Sequence, residues 1–216
     1  WSIVAIPTIP WAKKAFPDLD DEKALEKLWN AVLMSVRVSE SNDPIEEWKQ
    51  HNENLEHYCT LLNDYKFKSL HFKNSMGTDL KVELIKDHVW AAGSEIAKNG
   101  ARFNPNMPTE EAFTMPYKYG VDGRVYATKP LSYQGKLIEN FYLDFKDGKV
   151  VGYFAEKGEE TLKNLLDFDE NSRYLGEVAL IPYNSPISKS GVLFLNTLFD
   201  ENASCHLALG ASYPDN

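Results

Sequence analysis

Glu201 and His206 stand five residues apart in the run Asn196 to Gly210, a carboxylate and an imidazole among small and apolar neighbours. Burying a carboxylate in such surroundings costs on the order of several kcal/mol unless a cation or hydrogen-bond donors compensate. Glu with His is also a ligand set that a borderline divalent ion such as zinc accepts. Five residues turn through about 140° on a helix and end on opposite faces of a straight strand, so the two share an ion only across a bend. After the bend the sequence reads as a short strand, with Leu207 and Leu209 facing one way and His206, Ala208 and Gly210 the other. His206 then projects over small residues, with room for an ion or a substrate. A core histidine hydrogen-bonded to Glu201 fits this segment equally well.

Two further stretches place carboxylates where they need partners. Prolines 108 and 116 bracket Thr109 to Met115, which is therefore extended. Alternation puts Glu111 with Phe113 and Met115, and Glu110 with Ala112 and Thr114, so Glu111 is the carboxylate expected to be buried. The alternative is a glutamate facing water. Glu177 opens an apolar strand behind Gly176, a residue that allows close approach of a backbone or ligand; its side chain is a metal ligand at a strand end or the partner of Arg173.

The other histidines assemble nothing. His51, His57 and Cys59 fall on one helix, but steps of six and two residues keep them from converging on one ion. His51 and His57 read as helix-surface residues and Cys59 as a small packing residue, while His71 and His88 lack metal-like spacing. A glycine-rich phosphate loop, a serine elbow and paired zinc cysteines are all absent.

The elements that position these residues are mixed, an α+β chain with helices at the start and then mainly antiparallel strands carrying the site. Ser2 to Ile6 reads as a strand. Leu25, Leu28, Trp29, Val32 and Val36 repeat at helical spacing behind a cap at Asp18 or Asp20. A second helix starts at Asp43-Pro44 and ends near Asp64. From Phe67 the period is two. Asp122-Gly123 and Asp147-Gly148 read as hairpin turns, and a helix around Glu159 to Asp167 precedes the strand Glu177 to Ile181. Composition shifts near residue 66, dividing a helix-rich part (1–66) from a strand-rich part (67–216) that carries most of the site.

At 216 residues and 43% hydrophobic, the chain can bury a substantial core without disulfides, and its two cysteines lie far apart. It shows no secretory signal and no long apolar run, which reads as a cytoplasmic protein without a membrane partner. A net charge of −9 argues against nucleic acid and is compatible with a cationic ligand such as a peptide's free amino group. The opening at Trp1 without Met and the close on a loop read as a piece of something longer.

Three segments in this order, Asn106 to Pro116, Tyr174 to Tyr183 and Asn196 to Gly210, together with the opening run Trp1 to Pro17, resemble the two-metal aminopeptidases, the family of aminopeptidase T and aminopeptidase S. The resemblance implies that Glu111, Glu177 and His206 are metal ligands, with Glu177 best suited to bridge two ions. It makes Glu201 a further ligand or general base and Tyr213 a donor to the oxyanion. Two divalent ions (Zn, Co, Mn or Mg), roughly 3.5–4 Å apart in such sites, would acidify a shared water, polarise the scissile carbonyl and help anchor a free amino terminus.

Peptides with a free N-terminus are the implied substrates, and a homodimer the implied assembly. Family members also carry a preceding domain and a later His-x-Asp pair that completes the metal shell. Neither stands in this sequence, so the expectation is a weakly active or inactive piece of an aminopeptidase. A non-catalytic assembly or binding module with the same fold is the alternative, and a metal-independent glycoside hydrolase using Glu177 and Glu201 is a third reading.

Overall fold

Thr8 and Asp20 each start a helix by the same device, a short oxygen-bearing side chain that accepts from an otherwise unpartnered first-turn amide. In the computed structural model, which describes residues 1–212, Thr8 caps α1 (Ile9–Ala15) and Asp20 caps α2 (Asp21–Ser35), its carboxylate 2.9 Å from the Lys23 amide. Pro10 lies in the first turn of α1, where a missing N–H costs nothing. The expected strand over Ser2 to Ile6 reduces to one parallel bridge between Ile3 and Asn106, because no neighbouring strand continues the ladder.

In α3 (Pro44–Tyr65) the Asp43 carboxylate accepts from the Ile45 amide, and Trp48, His51, Asn52, Leu55 and Cys59 are buried. Steps of three and four residues place His51 on that stripe. Its expected surface position is therefore corrected. His57, two residues past Leu55, is exposed as the spacing requires.

The chain divides into two compact units. The first comprises Trp1–Cys59, Ala92–Ala112 and Leu180–Cys205, and the second Thr60–Ala91, Phe113–Ala179 and the chain from His206 on. In the first, Leu28 and Val32 of α2 pack with Ile187, Phe194 and Phe199, the two phenylalanine rings stacked 4.6 Å apart. These come from α5 (Pro186–Ser190), the loop after it and α6 (Thr197–Asp200), which runs into a 3-10 turn at Glu201–Ala203. A small ribbon of β4 (Glu95–Ile96) and β5 (Arg102–Phe103) completes it.

The second unit is mostly strand. Here β1 (Ser69–Lys73), β2 (Asp79–Leu84), β7 (Pro116–Tyr126), β9 (Lys136–Lys146) and β10 (Lys149–Lys157) form an antiparallel sheet in the order β1-β2-β7-β9-β10, with β8 (Leu131–Tyr133) on β9. Leu80, Val82, Val121, Ile138 and Phe145 are buried in it, and α4 (Glu159–Leu166) packs on β9 and β10. Asp147-Gly148 makes the expected turn between β9 and β10, both residues at positive φ.

Asp122-Gly123 is not a turn, which corrects the sequence reading. Strand β7 runs straight through it with Leu80 opposite Gly123. Gly123 sits at φ +116°, and a β-carbon there would collide with the Asp79 carbonyl, so glycine serves close approach inside a strand. A four-stranded sheet, ordered β12-β11-β6-β3, carries the candidate site. Its strands are β3 (Ala91–Ala92), β6 (Ala112–Thr114), β11 (Leu175–Leu180) and β12 (His206–Leu209). Mixed α+β architecture with mainly antiparallel strands is thus what the sequence indicated. Among the described residues no helix is long and apolar enough to cross a membrane.

Candidate metal centre

Strand β11 is buried along most of its length because Leu175, Val178 and Ala179 are apolar and Gly176 is small, and Glu177 is its one ionisable residue. It pairs antiparallel with β12, Glu177 opposite Ala208 and Ala179 opposite His206. Partners across such a pair share a face, so Glu177 and His206 rise from the same side of the sheet over two alanines. His206 Nε2 lies 3.6 Å from Glu177 Oε1, with both side chains less than one-fifth exposed.

Glu111 is the residue that enters β6, and it is buried. One ligand atom from each of Glu111, Glu177 and His206 lies within 4.8 Å of the others. Two donors on one zinc-sized ion, each at roughly 2.0–2.2 Å, are separated by at most about 4.4 Å. Three donors gathered this closely need only small rotations to meet such an ion. Two carboxylates supply the charge that offsets a divalent cation, and a neutral imidazole suits a borderline metal better than calcium or magnesium. Donor type and spacing therefore both fit a divalent metal.

The segment leading to Glu111 is held from every side. The Thr109 carbonyl accepts from His51 Nε2 at 2.7 Å, which assigns the ring hydrogen to that nitrogen. The Glu110 amide donates to Asn202 Oδ1 at 2.7 Å, and Asn202 is fixed in turn through its own amide on the Leu198 carbonyl. The Glu110 carboxylate takes both guanidinium nitrogens of Arg37, at 2.6 and 2.8 Å. Burial holds the His51 imidazole below its ordinary value, and Arg37 adds to this; Glu110 and the bond to Thr109 oppose it.

Glu111 is buried as expected, and Glu110, which alternation assigns to the other face, is buried as well. Residues 107–111 precede the strand and make no ladder, so period-two alternation does not govern them. The sequence does not single out Arg37 or Asn202; Arg37 sits at a left-handed φ of 57° just past the end of α2, a conformation that no residue pattern marks. Glu201 begins the 3-10 turn, half-buried, and is not a member of the three-residue group. Tyr213 lies outside the described residues.

A family model described as "Thermophilic metalloprotease (M29)" matches residues 1–216. The chain belongs to that family. M29 membership implies divalent metal ions, in agreement with the donor set. Across its 216 residues the chain is 52% identical to aminopeptidase 2 of Geobacillus stearothermophilus and 46% identical to aminopeptidase T of Thermus aquaticus, covering 100% of itself and 52% of each. Wild-type AmpT from Thermus thermophilus superposes with a TM-score of 0.92 at 44% identity, over 100% of this chain and 52% of that one. The chain thus spans about half the length of the relatives it matches.

Proposed function

We propose that the protein carrying this chain is a metallo-aminopeptidase that hydrolyses the first peptide bond of peptides with a free amino terminus. Glu111, Glu177 and His206 are its ligands in a centre of two divalent ions, Zn, Co, Mn or Mg. The reading rests on one observation above others, the gathering of two carboxylates and an imidazole within 4.8 Å in an M29 chain. Bound divalent ions supply an acidified water and a polarised carbonyl at such a centre.

The chain's own groups divide the remaining work. Glu177, whose carboxylate offers two oxygens, one of them 3.6 Å from His206 Nε2, would be the one suited to bridge. His206 binds as the neutral imidazole and so fixes the ligand geometry without adding charge. Glu201 accepts the proton of the attacking water or completes the ligand shell. The Tyr213 phenol donates to the carbonyl oxygen as negative charge grows on it. The ions would also help anchor the substrate's free amino group, which makes the free amino terminus part of recognition. A cytoplasmic homodimer belongs to the same proposal, supported by the family resemblance, and sedimentation checks the assembly.

The test uses paired peptides that differ only in N-acetylation. The free peptide is expected to lose its first residue, the acetylated one to resist, and a chelator to stop the reaction until metal is restored. Cleavage that persists at full rate after exhaustive chelation, or that ignores the acetyl group, would overturn the proposal.

A further inference from the structure

We propose that Gly176 is the positioning residue of this site: it forms a one-residue bulge that turns Glu177 onto the face carrying His206. Leu175 pairs with Leu209 and Glu177 with Ala208, so β11 advances two residues while β12 advances one. Beyond that point the ladder is regular, Val178 opposite Leu207 and Ala179 opposite His206. Alternation then sorts the pair cleanly. Leu175, Val178, Leu207 and Leu209 share one face, and Glu177, Ala179, His206 and Ala208 share the other.

In an unbroken ladder Leu175 and Glu177, two residues apart, would share a face. Either Glu177 would then stand among the leucines or Leu175 would stand in the metal site, because a one-residue slip exchanges faces. The bulge removes this conflict, and it leaves Glu177 diagonal to His206 with only alanine side chains beside them.

Only glycine fits there. A β-carbon on Gly176 would lie 2.6 Å from the Gly210 oxygen and 2.7 Å from the Ala211 carbonyl carbon, with the Ala211 oxygen also in contact. All three are backbone atoms, and the Gly210 amide is tied to the Tyr174 carbonyl at 2.8 Å. No flexible side-chain end can swing away, so a methyl group must displace the end of β12 or undo the bulge.

This inference rests on the metal reading, and its test separates the two. Cobalt(II) is titrated into the metal-free protein and followed by visible absorption for the wild type, Gly176→Ala, Glu177→Gln and Val178→Ala. The last variant trims a fully buried side chain on the opposite face. Gly176→Ala is expected to weaken cobalt binding at least tenfold and to change the spectrum. Val178→Ala is expected to lower the melting temperature while keeping affinity within twofold.

Wild-type affinity and spectrum in Gly176→Ala would overturn the proposal, as would an equal loss in Val178→Ala, which would reduce the effect to strand stability. A wild type that binds no cobalt, or a Glu177→Gln variant that binds it equally, would sink the metal reading itself. The bulge is then judged by the cross-strand amide contact between Glu177 and Ala208 in metal-free protein, expected in the wild type and lost in Gly176→Ala; its persistence in the variant overturns the proposal. Should Gly176→Ala not fold, deletion of Gly176 replaces it. That change leaves Leu175 opposite Leu209 and Glu177 opposite Ala208 in a regular ladder, so cobalt binding is expected to survive, and its loss in a folded deletion protein contradicts the proposal.

Discussion

Replacing Arg37 by methionine removes one half of an ion pair that is nearly sealed from water. The guanidinium meets the Glu110 carboxylate through two short hydrogen bonds, and the side chains are only 14% and 4% exposed. Breaking such a pair from one side strands a buried charge, which costs about 3–5 kcal/mol. Replacing both partners with apolar residues of similar volume removes the charge problem altogether, so Arg37→Met with Glu110→Leu is expected to cost under about 2 kcal/mol. The coupling between the two sites is then at least about 4 kcal/mol.

For a chain of this size each kcal/mol moves the melting temperature by about 2–4 °C, which puts either single variant about 6–20 °C below the wild type. Thermal and urea unfolding followed by far-ultraviolet circular dichroism complete the double-mutant cycle. Single variants within about 1 kcal/mol of the wild type, or a double variant as unstable as the two singles added, would refute the reasoning.

Acid should weaken the fold through His51. Its folded-state value lies below the ordinary 6.5, chiefly because burial opposes the charged ring. The unfolded chain therefore takes up a proton before the folded one does, and stability that is complete above about pH 6.5 drains away as the pH falls. The urea midpoint is expected to fall between pH 7.5 and 5.5 more steeply in the wild type than in His51→Gln, and equal slopes would count against this. The two thiols should also differ: Cys205 is exposed, whereas burial pushes the Cys59 thiol up to about 11. Iodoacetamide at neutral pH is expected to label Cys205 first, read by peptide mass spectrometry, and equal labelling of native protein would contradict the packing around Cys59.

Local patterns carried the regular elements. The cap at Asp20, the Asp43-Pro44 start of α3, the turn at Asp147-Gly148 and the strands around Glu177 and His206 are all written within a few residues of chain. Asp122-Gly123 misled because the same dipeptide serves a tight turn and a strand whose neighbour comes too close for a side chain. For His51 the spacing to His57 says nothing of burial, whereas the spacing to Trp48 and Leu55 places it on the buried stripe.

Long-range geometry was beyond reach. Arg37 and Glu110 are 73 residues apart, and no pattern in either segment announces the other. The register of β11 on β12 depends on Gly176 meeting the backbone at Gly210 and Ala211, which sequence shows only as a glycine before a glutamate. Glu111, Glu177 and His206 were singled out by residue type and by family resemblance, while their mutual distance could come only from the fold.

Anomalous diffraction at the cobalt edge, from crystals of the metal-free protein soaked with cobalt(II), addresses the metal centre most directly. A peak is expected within coordination distance of a His206 ring nitrogen and of carboxylate oxygens from Glu177 and Glu111. Cobalt bound elsewhere, with no peak among these three side chains, would contradict the metal assignment.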